Sequence, residues 1–353
     1  MKIEFIKRDH LQEKPKPDVL SFGKYFSDYM FEMDYVEGKG WHNAKIKPYG
    51  PISLDPASMV LHYAQETFEG LKAYRNGDDV LLFRPYQNAK RMMTSNARLC
   101  MATIDEDMFV EALCALLKVE KDWIPEGAGT ALYLRPFCFA NEVALGVHAA
   151  TSYKFMIVAS PVGAYYEAGV NPVKIYVEDE YVRAVKGGTG DAKCGGNYAA
   201  SIIAQQKAAQ KGYTQVLWLD GVHRKYVEEV GTMNALFVID NEIITAPLEG
   251  SVLPGITRDA CMQLLSDWGY VVREEELAID ILMQYAKNGR LQEAFGTGTA
   301  AVISPIGELN YKGEIAIINN MTSGPITKRL YEILTGIQTG KLKDPHKWVM
   351  KVV

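Results

Sequence analysis

Lys186–Ser201 reads KGGTGDAKCGGNYAAS, and five glycines, at 187, 188, 190, 195 and 196, crowd around Lys193. Glycine loses the most conformational freedom on folding, so a cluster of it marks a backbone that turns sharply or comes close to something. A lysine ammonium held in a tight, partly dry place gives up its proton more readily and can act as an amine nucleophile. A solvated loop with a surface lysine fits the same composition. The rest of the chain decides between the two.

Downstream of this stretch, Tyr198–Lys211 is alanine-rich and reads as a helix, with Gly212 just past its end. Gln215–Leu219 (QVLWL) reads as a buried strand closed by Asp220-Gly221. Tyr226–Glu229, Ala235–Ile239 and Ile243–Thr245 are further strands. Leu253-Pro254-Gly255 opens a helix over Ile256–Trp268, and Ile279–Lys287 is another. Glu293–Pro305 is strand, turn and strand around Gly296-Thr297-Gly298-Thr299. A closing helix, Pro325–Gly340, carries Ile326, Leu330, Leu334 and Ile337 on one face.

Upstream, Val173–Val177 is a strand, and Pro161–Pro172 (PVGAYYEAGVNP) is bounded by proline and glycine. It places an interdomain linker at 163–173, between a domain at 1–162 and one at 174–353. Residues 1–50 show poor periodicity. Asp55-Pro56 resembles a helix start, with a short helix over 57–62. Tyr63–Tyr74 and Val80–Phe83 flank Asn76-Gly77 as a β-hairpin, which Arg84-Pro85 stops. Asn88–Leu99 reads as a helix, and Asp105–Glu120 as an amphipathic one with acids in its first turn. Thr130–Pro136 and Tyr153–Ser160 read as strands. Strands dominate the second half with helices between them, so the class is α+β.

At 353 residues the chain exceeds what one core normally organises, which also favours two domains. Hydrophobic residues at 48% and charged residues at 23% are an ordinary globular balance. A net charge of -5 leaves no basic excess for nucleic-acid phosphates. No apolar run approaches the ~20 residues of a membrane span. The start, MKIEFIKRDH, lacks the apolar core of a signal peptide, so a cytoplasmic location is expected. Five cysteines, widely spaced and without a C-x-x-C pair, fit reduced thiols. The six histidines show no i, i+4 pair, and no zinc site is expected.

Three further features raise the importance of Lys193. The turn in Leu253-Pro-Gly-Ile-Thr-Arg258 presents the Ile256 and Thr257 amides at a helix start, where an anion binds readily. Phe295-Gly-Thr-Gly-Thr-Ala-Ala301 is a second small-residue turn with amides and hydroxyls to offer. Glu228-Glu229-Val-Gly-Thr-Met-Asn234 sets a carboxylate beside a glycine. Singly, each reads equally as an ordinary helix start, a Gly-rich hairpin or an exposed acid. Jointly, with the basic helix that bears Arg91, they describe a lysine, anion-binding turns and an acid arranged for a phosphorylated aldehyde cofactor.

FEGLKAYR, LFRPYQNAKRM, LYLRPF, GGTGDAKCGGNYAAS, QVLWLDG, EEVGTMN, LPGITR and FGTGTAA follow in this order. With them the chain resembles the branched-chain amino acid aminotransferases, pyridoxal 5'-phosphate enzymes of fold type IV. The likeness runs from about Ser21 through the closing DPHKW. It implies a smaller N-terminal α/β domain, a larger C-terminal barrel-like α/β domain, and a homodimer with the active site between the domains and near the interface. It also implies reversible transfer of the amino group of leucine, isoleucine or valine to 2-oxoglutarate.

By the same resemblance, Lys193 forms the aldimine with the cofactor and shuttles the proton. Tyr198 bonds the cofactor's phenolic oxygen, Glu229 pairs with its ring nitrogen, and Thr232 sits near the ring. Arg91, the Ile256 and Thr257 amides and Thr299 hold the phosphate. Thr299, Ala300 and Tyr133 receive the substrate carboxylate, and Arg135 meets the distal carboxylate of glutamate. Tyr63, Phe68, Tyr165 and Tyr198 build the apolar pocket. Lys72 and the charges at Lys341–Lys351 read as solvated, and Cys194 as a packed small residue. Ala301 and Ser304 stand where vertebrate relatives carry a redox cysteine pair, so no thiol switch is expected. The alternatives are a D-amino acid aminotransferase or aminodeoxychorismate lyase of the same fold, or a non-catalytic phosphate-binding protein.

Overall fold

The computed structural model describes residues 1–163 and 171–352. Its contacts form two units. The first takes Met1–Tyr165, Ala192–Gly195 and Gly336–Val353, and the second takes Tyr166–Asp191 and Gly196–Thr335.

In the first unit the elements follow as β1 (Glu4–Phe5), β2 (Tyr29–Val36), β3 (Gly40–Pro48), α1 (Val60–Tyr63), β4 (Glu66–Phe68), β5 (Leu71–Asn76), β6 (Asp79–Phe83), α2 (Pro85–Arg98), α3 (Glu106–Glu120), β7 (Ala131–Ala140) and β8 (Ser152–Val162). The strands make one sheet in the order β1-β3-β2-β8-β7-β5-β6, and β4 also pairs with β7. Val349–Lys351 adds a last antiparallel strand beside β6. The lysines at 341, 343, 347 and 351 stay exposed, as expected of solvated charges, although the last three residues of that run join the sheet.

The helices attach by ordinary physical means. Asp105 caps α3, its carboxylate accepting from the Asp107 and Met108 amides at 2.9 and 3.3 Å, an arrangement that contributes about 1 kcal/mol. Phe109, Leu113, Leu116 and Leu117 of α3 share a core with Phe31 and Phe155 of the sheet. Proline at the first helical position starts α2 three residues before the expected Asn88, because its missing N–H has no partner to lose there.

Four further expectations in this unit need correction. β2 and β3 lie in the stretch with poor periodicity; β2 is buried at its first five positions, so no alternation marks it. Asp55 accepts from the Ala57 amide at 2.8 Å and makes a turn, and the helix begins only at Val60. The first arm of the expected hairpin is interrupted: β4 and β5 both pair with β7, broken at Glu69-Gly70. Lys72 is no solvated charge. It is 8% exposed opposite Tyr133, and burial pushes its pKa down to about 8.

The second unit contains β9 (Val173–Glu178), α4 (Gly195–Gln210), β10 (Gln215–Leu219), β11 (Val227–Val230), β12 (Met233–Ile239), β13 (Glu242–Thr245), α5 (Ile256–Asp267), β14 (Val272–Glu274), α6 (Ile279–Asn288), β15 (Leu291–Gly298), β16 (Val302–Tyr311), β17 (Glu314–Ile317) and α7 (Pro325–Gln338). The order β11-β10-β9-β16-β15-β12 closes on itself, because β11 also pairs with β12. The result is a six-stranded barrel, extended by β13 and β14 beyond β12. This is the barrel-like α+β fold that the resemblance implied. Ile175, Leu217, Phe237 and Leu309 form its core with Leu282 and Met283 of α6. α4 starts at Gly195, earlier than the expected Tyr198, since glycines are tolerated in a first turn. Gly212, with φ at +84°, follows its end as expected. Among the described residues no helix is long and apolar enough to cross a membrane.

Candidate active site

In the first unit the backbone around Lys193 is held on both sides. Its amide donates to Ser95 Oγ at 2.9 Å, and its carbonyl accepts from the Phe68 amide at 3.0 Å. The Gly195 amide donates to Glu66 Oε1. A Cβ at Gly195 would collide with that same oxygen and push the carboxylate off its bond. Lys193 Nζ stands 4.8 Å from the centre of the Phe68 ring. The neighbouring Cys194 is buried, as expected of a packing residue.

Alternation along β7 puts Tyr133 and Arg135 on one face. Arg135 lies over the Phe68 ring at 4.7 Å and donates from Nη2 to Tyr133 Oη at 3.0 Å. Phe68, Tyr133, Arg135 and Lys193 are thus brought together. Tyr63 ends α1, 37% exposed, with its hydroxyl donated to the Leu145 carbonyl. Two residues here were missed by the sequence reading. Gly70 faces Tyr133 Oη so closely that any Cβ would displace it. Glu69, fully buried, receives Arg91 Nε at 2.8 Å and Nη2 at 2.9 Å, and Asn88 Nδ2 at 2.8 Å. Arg91 is therefore tied to Glu69, a buried fork-to-fork pair. Both missed residues stand in the FEG of the first quoted motif, which was their available signal.

In the second unit Tyr198, Glu229 and Thr232 line one pocket together with Arg183. Glu229 is 3% exposed. Its Oε1 accepts from the Leu253 amide at 2.8 Å and from Asn234 Nδ2 at 3.2 Å. Its Oε2 lies 2.9 Å from Arg183 Nε. Arg183 Nη2 in turn donates to the carbonyls of Gly190, at 3.1 Å, and Ser251. Thr232 follows Gly231, whose φ of +58° makes the turn from β11 to β12. Trp218 Nε1 fixes that turn by donating to the Gly231 carbonyl at 2.9 Å. Arg183 and Asn234 were not foreseen. The trace of Arg183 was a single charge inside the apolar run Tyr181-Val-Arg-Ala-Val185.

Ile256 and Thr257 open α5, and the cap residue Gly255 has no side chain to hold their amides. Asn234 Oδ1 sits where a Gly255 Cβ would be, so a methyl there would displace the amide. Thr299 and Ala300 stand in the turn between β15 and β16. Tyr165 lies outside the described residues. Among the described residues no group of three His, Cys, Asp or Glu is placed to hold a metal ion.

The first unit offers the amine of Lys193; the second offers a phenol, a dry carboxylate and a helix start. These are the donor types that a phosphorylated pyridine aldehyde calls for.

Residues 66–309 match the family model for amino-transferase class IV. The chain is 54% identical over 352 residues to branched-chain-amino-acid transaminase 1 of Bacillus subtilis (strain 168), covering 99% of each. It is similar to the crystal structure of the Escherichia coli branched-chain amino acid aminotransferase, with a TM-score of 0.78 and 27% identity over 92% of this chain and 99% of that one. It is also similar to a T.th. branched-chain amino acid aminotransferase complexed with N-(5'-phosphopyridoxyl)-L-glutamate, with a TM-score of 0.72 and 26% identity over 91% of this chain and 98% of that one.

Proposed function

The chain belongs to the branched-chain aminotransferases of the class IV aminotransferase family, and we infer from this that it moves an amino group reversibly between leucine, isoleucine or valine and 2-oxoglutarate. The observation that carries the inference is full-length similarity at 54% identity to a branched-chain transaminase. The D-amino acid and lyase alternatives find no such support. Bound pyridoxal phosphate supplies a ring that takes up the electron pair left at the amino acid's α-carbon.

The chain's own residues do the rest. Lys193 Nζ would hold the cofactor through its aldehyde and, once the substrate amine had taken its place there, would be the free amine that carries the α-carbon proton. Glu229 presents its carboxylate to the ring nitrogen and keeps a proton there; Arg183 and Asn234 fix that carboxylate's orientation. Tyr198 donates to the phenolic oxygen, and Thr232 closes against the ring. Arg91, the Ile256 and Thr257 amides and Thr299 hold the phosphate. Thr299 and Ala300 amides, with Tyr133, receive the α-carboxylate. Phe68, Tyr63, Tyr165 and Tyr198 line the side-chain pocket, and Arg135 accepts the distal carboxylate of glutamate. One pocket thus serves two unlike side chains, using apolar walls and a single cation.

The two domains are proposed to divide at 163–173, and the enzyme to work as a homodimer, which sedimentation would test. We place it in the cytoplasm, where its five free thiols stay reduced. The function is tested by single-turnover absorbance changes with leucine, D-alanine and glutamate. Leucine and glutamate are expected to react and D-alanine not; reaction with D-alanine alone would replace the reading. For Arg135, an Arg135→Ala variant that keeps both half-reactions intact would remove its assigned role.

A further inference from the structure

Asn234 stands directly across the β11–β12 hairpin from Glu229, and it does more than orient that carboxylate. Its Nδ2 donates to Glu229 Oε1 at 3.2 Å and to the Leu253 carbonyl at 2.8 Å. The Leu253 amide donates in turn to Glu229 Oε1 at 2.8 Å. Three hydrogen bonds thus close a ring through Glu229, Asn234 and the Leu253 backbone. Two residues on from Leu253 is Gly255, the cap residue of α5. Asn234 reaches that point too, because its Oδ1 lies 1.9 Å from the place of a Gly255 Cβ. Gly255 has φ -74° and ψ 128°, a conformation open to any residue, so backbone freedom does not account for the glycine. Contact with Asn234 does. The Gly255 carbonyl accepts the Asp259 amide at 3.0 Å and so begins the helix. Asn234 itself is buried, 5% exposed.

A buried amide that holds a strand through its nitrogen and abuts a helix start through its oxygen joins the two as one frame. In the reading above, Glu229 meets the cofactor's ring nitrogen, and the Ile256 and Thr257 amides meet its phosphate. We propose that Asn234 is the positioning residue that sets the span between these two ends, so that a ligand carrying both groups engages them together. The assignment rests on the transaminase reading above. Two subsites on a rigid frame act on a matching ligand at high effective concentration. Loosening the frame removes that gain and leaves each subsite with its own contact alone. Asn234 therefore favours the phosphorylated pyridine over its unphosphorylated counterpart, and it does so through Glu229 and Gly255.

Two substitutions approach the frame from opposite sides. Asn234→Ala removes the amide. Gly255→Ala leaves Asn234 and Glu229 in place and drives a methyl into Oδ1, so the test stands even where Asn234→Ala does not fold. The full-length protein is titrated with pyridoxal 5'-phosphate and with pyridoxal, and the ratio of the two Kd values is read. Each variant is expected to lower the preference for the phosphorylated form about tenfold, mainly through weaker pyridoxal 5'-phosphate binding. In the Asn234→Ala background, Gly255→Ala should add nothing, because the methyl then has no Oδ1 to meet. Hydrogen–deuterium exchange of the Leu253 amide should be about fivefold faster in Asn234→Ala, matching one lost hydrogen bond. An unchanged ratio in both variants, whatever the loss of affinity, overturns the span-setting role. Additive losses in the double variant overturn the contact with Gly255, and unchanged exchange overturns the hydrogen-bonded ring. If the unsubstituted protein binds neither form of the cofactor, the functional reading falls and takes the span-setting role with it, while the exchange result still decides the ring.

Discussion

Arg183 Nε lies 2.9 Å from Glu229 Oε2, with both side chains buried among the barrel strands and the glycine-rich stretch. Arg183 Nε makes no directed hydrogen bond, so the contact acts through charge. Glu229 Oε1 is held separately by the Leu253 amide and Asn234. One carboxylate is thereby fixed at both oxygens, the preorganisation that its proposed role opposite a ring nitrogen would require.

Removing Arg183 leaves Glu229 as a buried charge without its cation. The Arg183→Met variant is expected to lose about 3–5 kcal/mol of stability, read as a lower denaturant midpoint. Arg183→Lys keeps a cation and should lose clearly less. Equal losses in the two variants would show that shape, and not charge, is what Arg183 contributes.

Lys193→Ala removes the only amine assigned to proton transfer. Turnover of leucine should fall by at least about a thousandfold, with circular dichroism unchanged. Residual activity near that of the unsubstituted enzyme would assign the proton transfer to another group.

Gly70→Ala puts a methyl group against Tyr133 Oη. The tyrosine must move, and its 3.0 Å bond from Arg135 Nη2 breaks. Misplacing two groups proposed to bind substrate should lower kcat/KM by about 10–100-fold, mostly through KM. An unaltered KM for both substrates would mean that Tyr133 does not bind them.

Glu120 gives a pH dependence away from the site. Burial raises its pKa from an ordinary carboxylate value to about 7. The folded state thus holds a proton that the unfolded chain has released above about pH 4. Stability from this group is complete below that pH and is lost as pH rises through 7. Glu120→Gln should melt like the unsubstituted protein at pH 4 and be the more stable at pH 8, by on the order of 2 kcal/mol. The same difference at both pH values would contradict the assignment.

Much of this arrangement was legible because it lies in local patterns. The α3 cap at Asp105, the strand QVLWL, the turns bearing Thr232 and Thr299 and the helix start bearing Thr257 are each written in a few consecutive residues. What escaped depends on distant partners. The β2 strand hides because five consecutive positions are buried. Glu69 looks like any surface acid until Arg91, 22 residues later, is seen to pair with it. Lys72 reads as solvated until its strand is placed against β7. Barrel closure through the β11–β12 pairing is likewise a property of register and not of any one segment.

The role of Lys193 is decided by borohydride reduction of the purified, pyridoxal phosphate-loaded protein followed by peptide mass mapping. The expected result is a yellow protein whose visible band disappears on reduction, with the phosphopyridoxyl mass on the peptide containing Lys193 and on no other lysine. A colourless protein that takes up no pyridoxal phosphate, or a label on a different lysine, would contradict it.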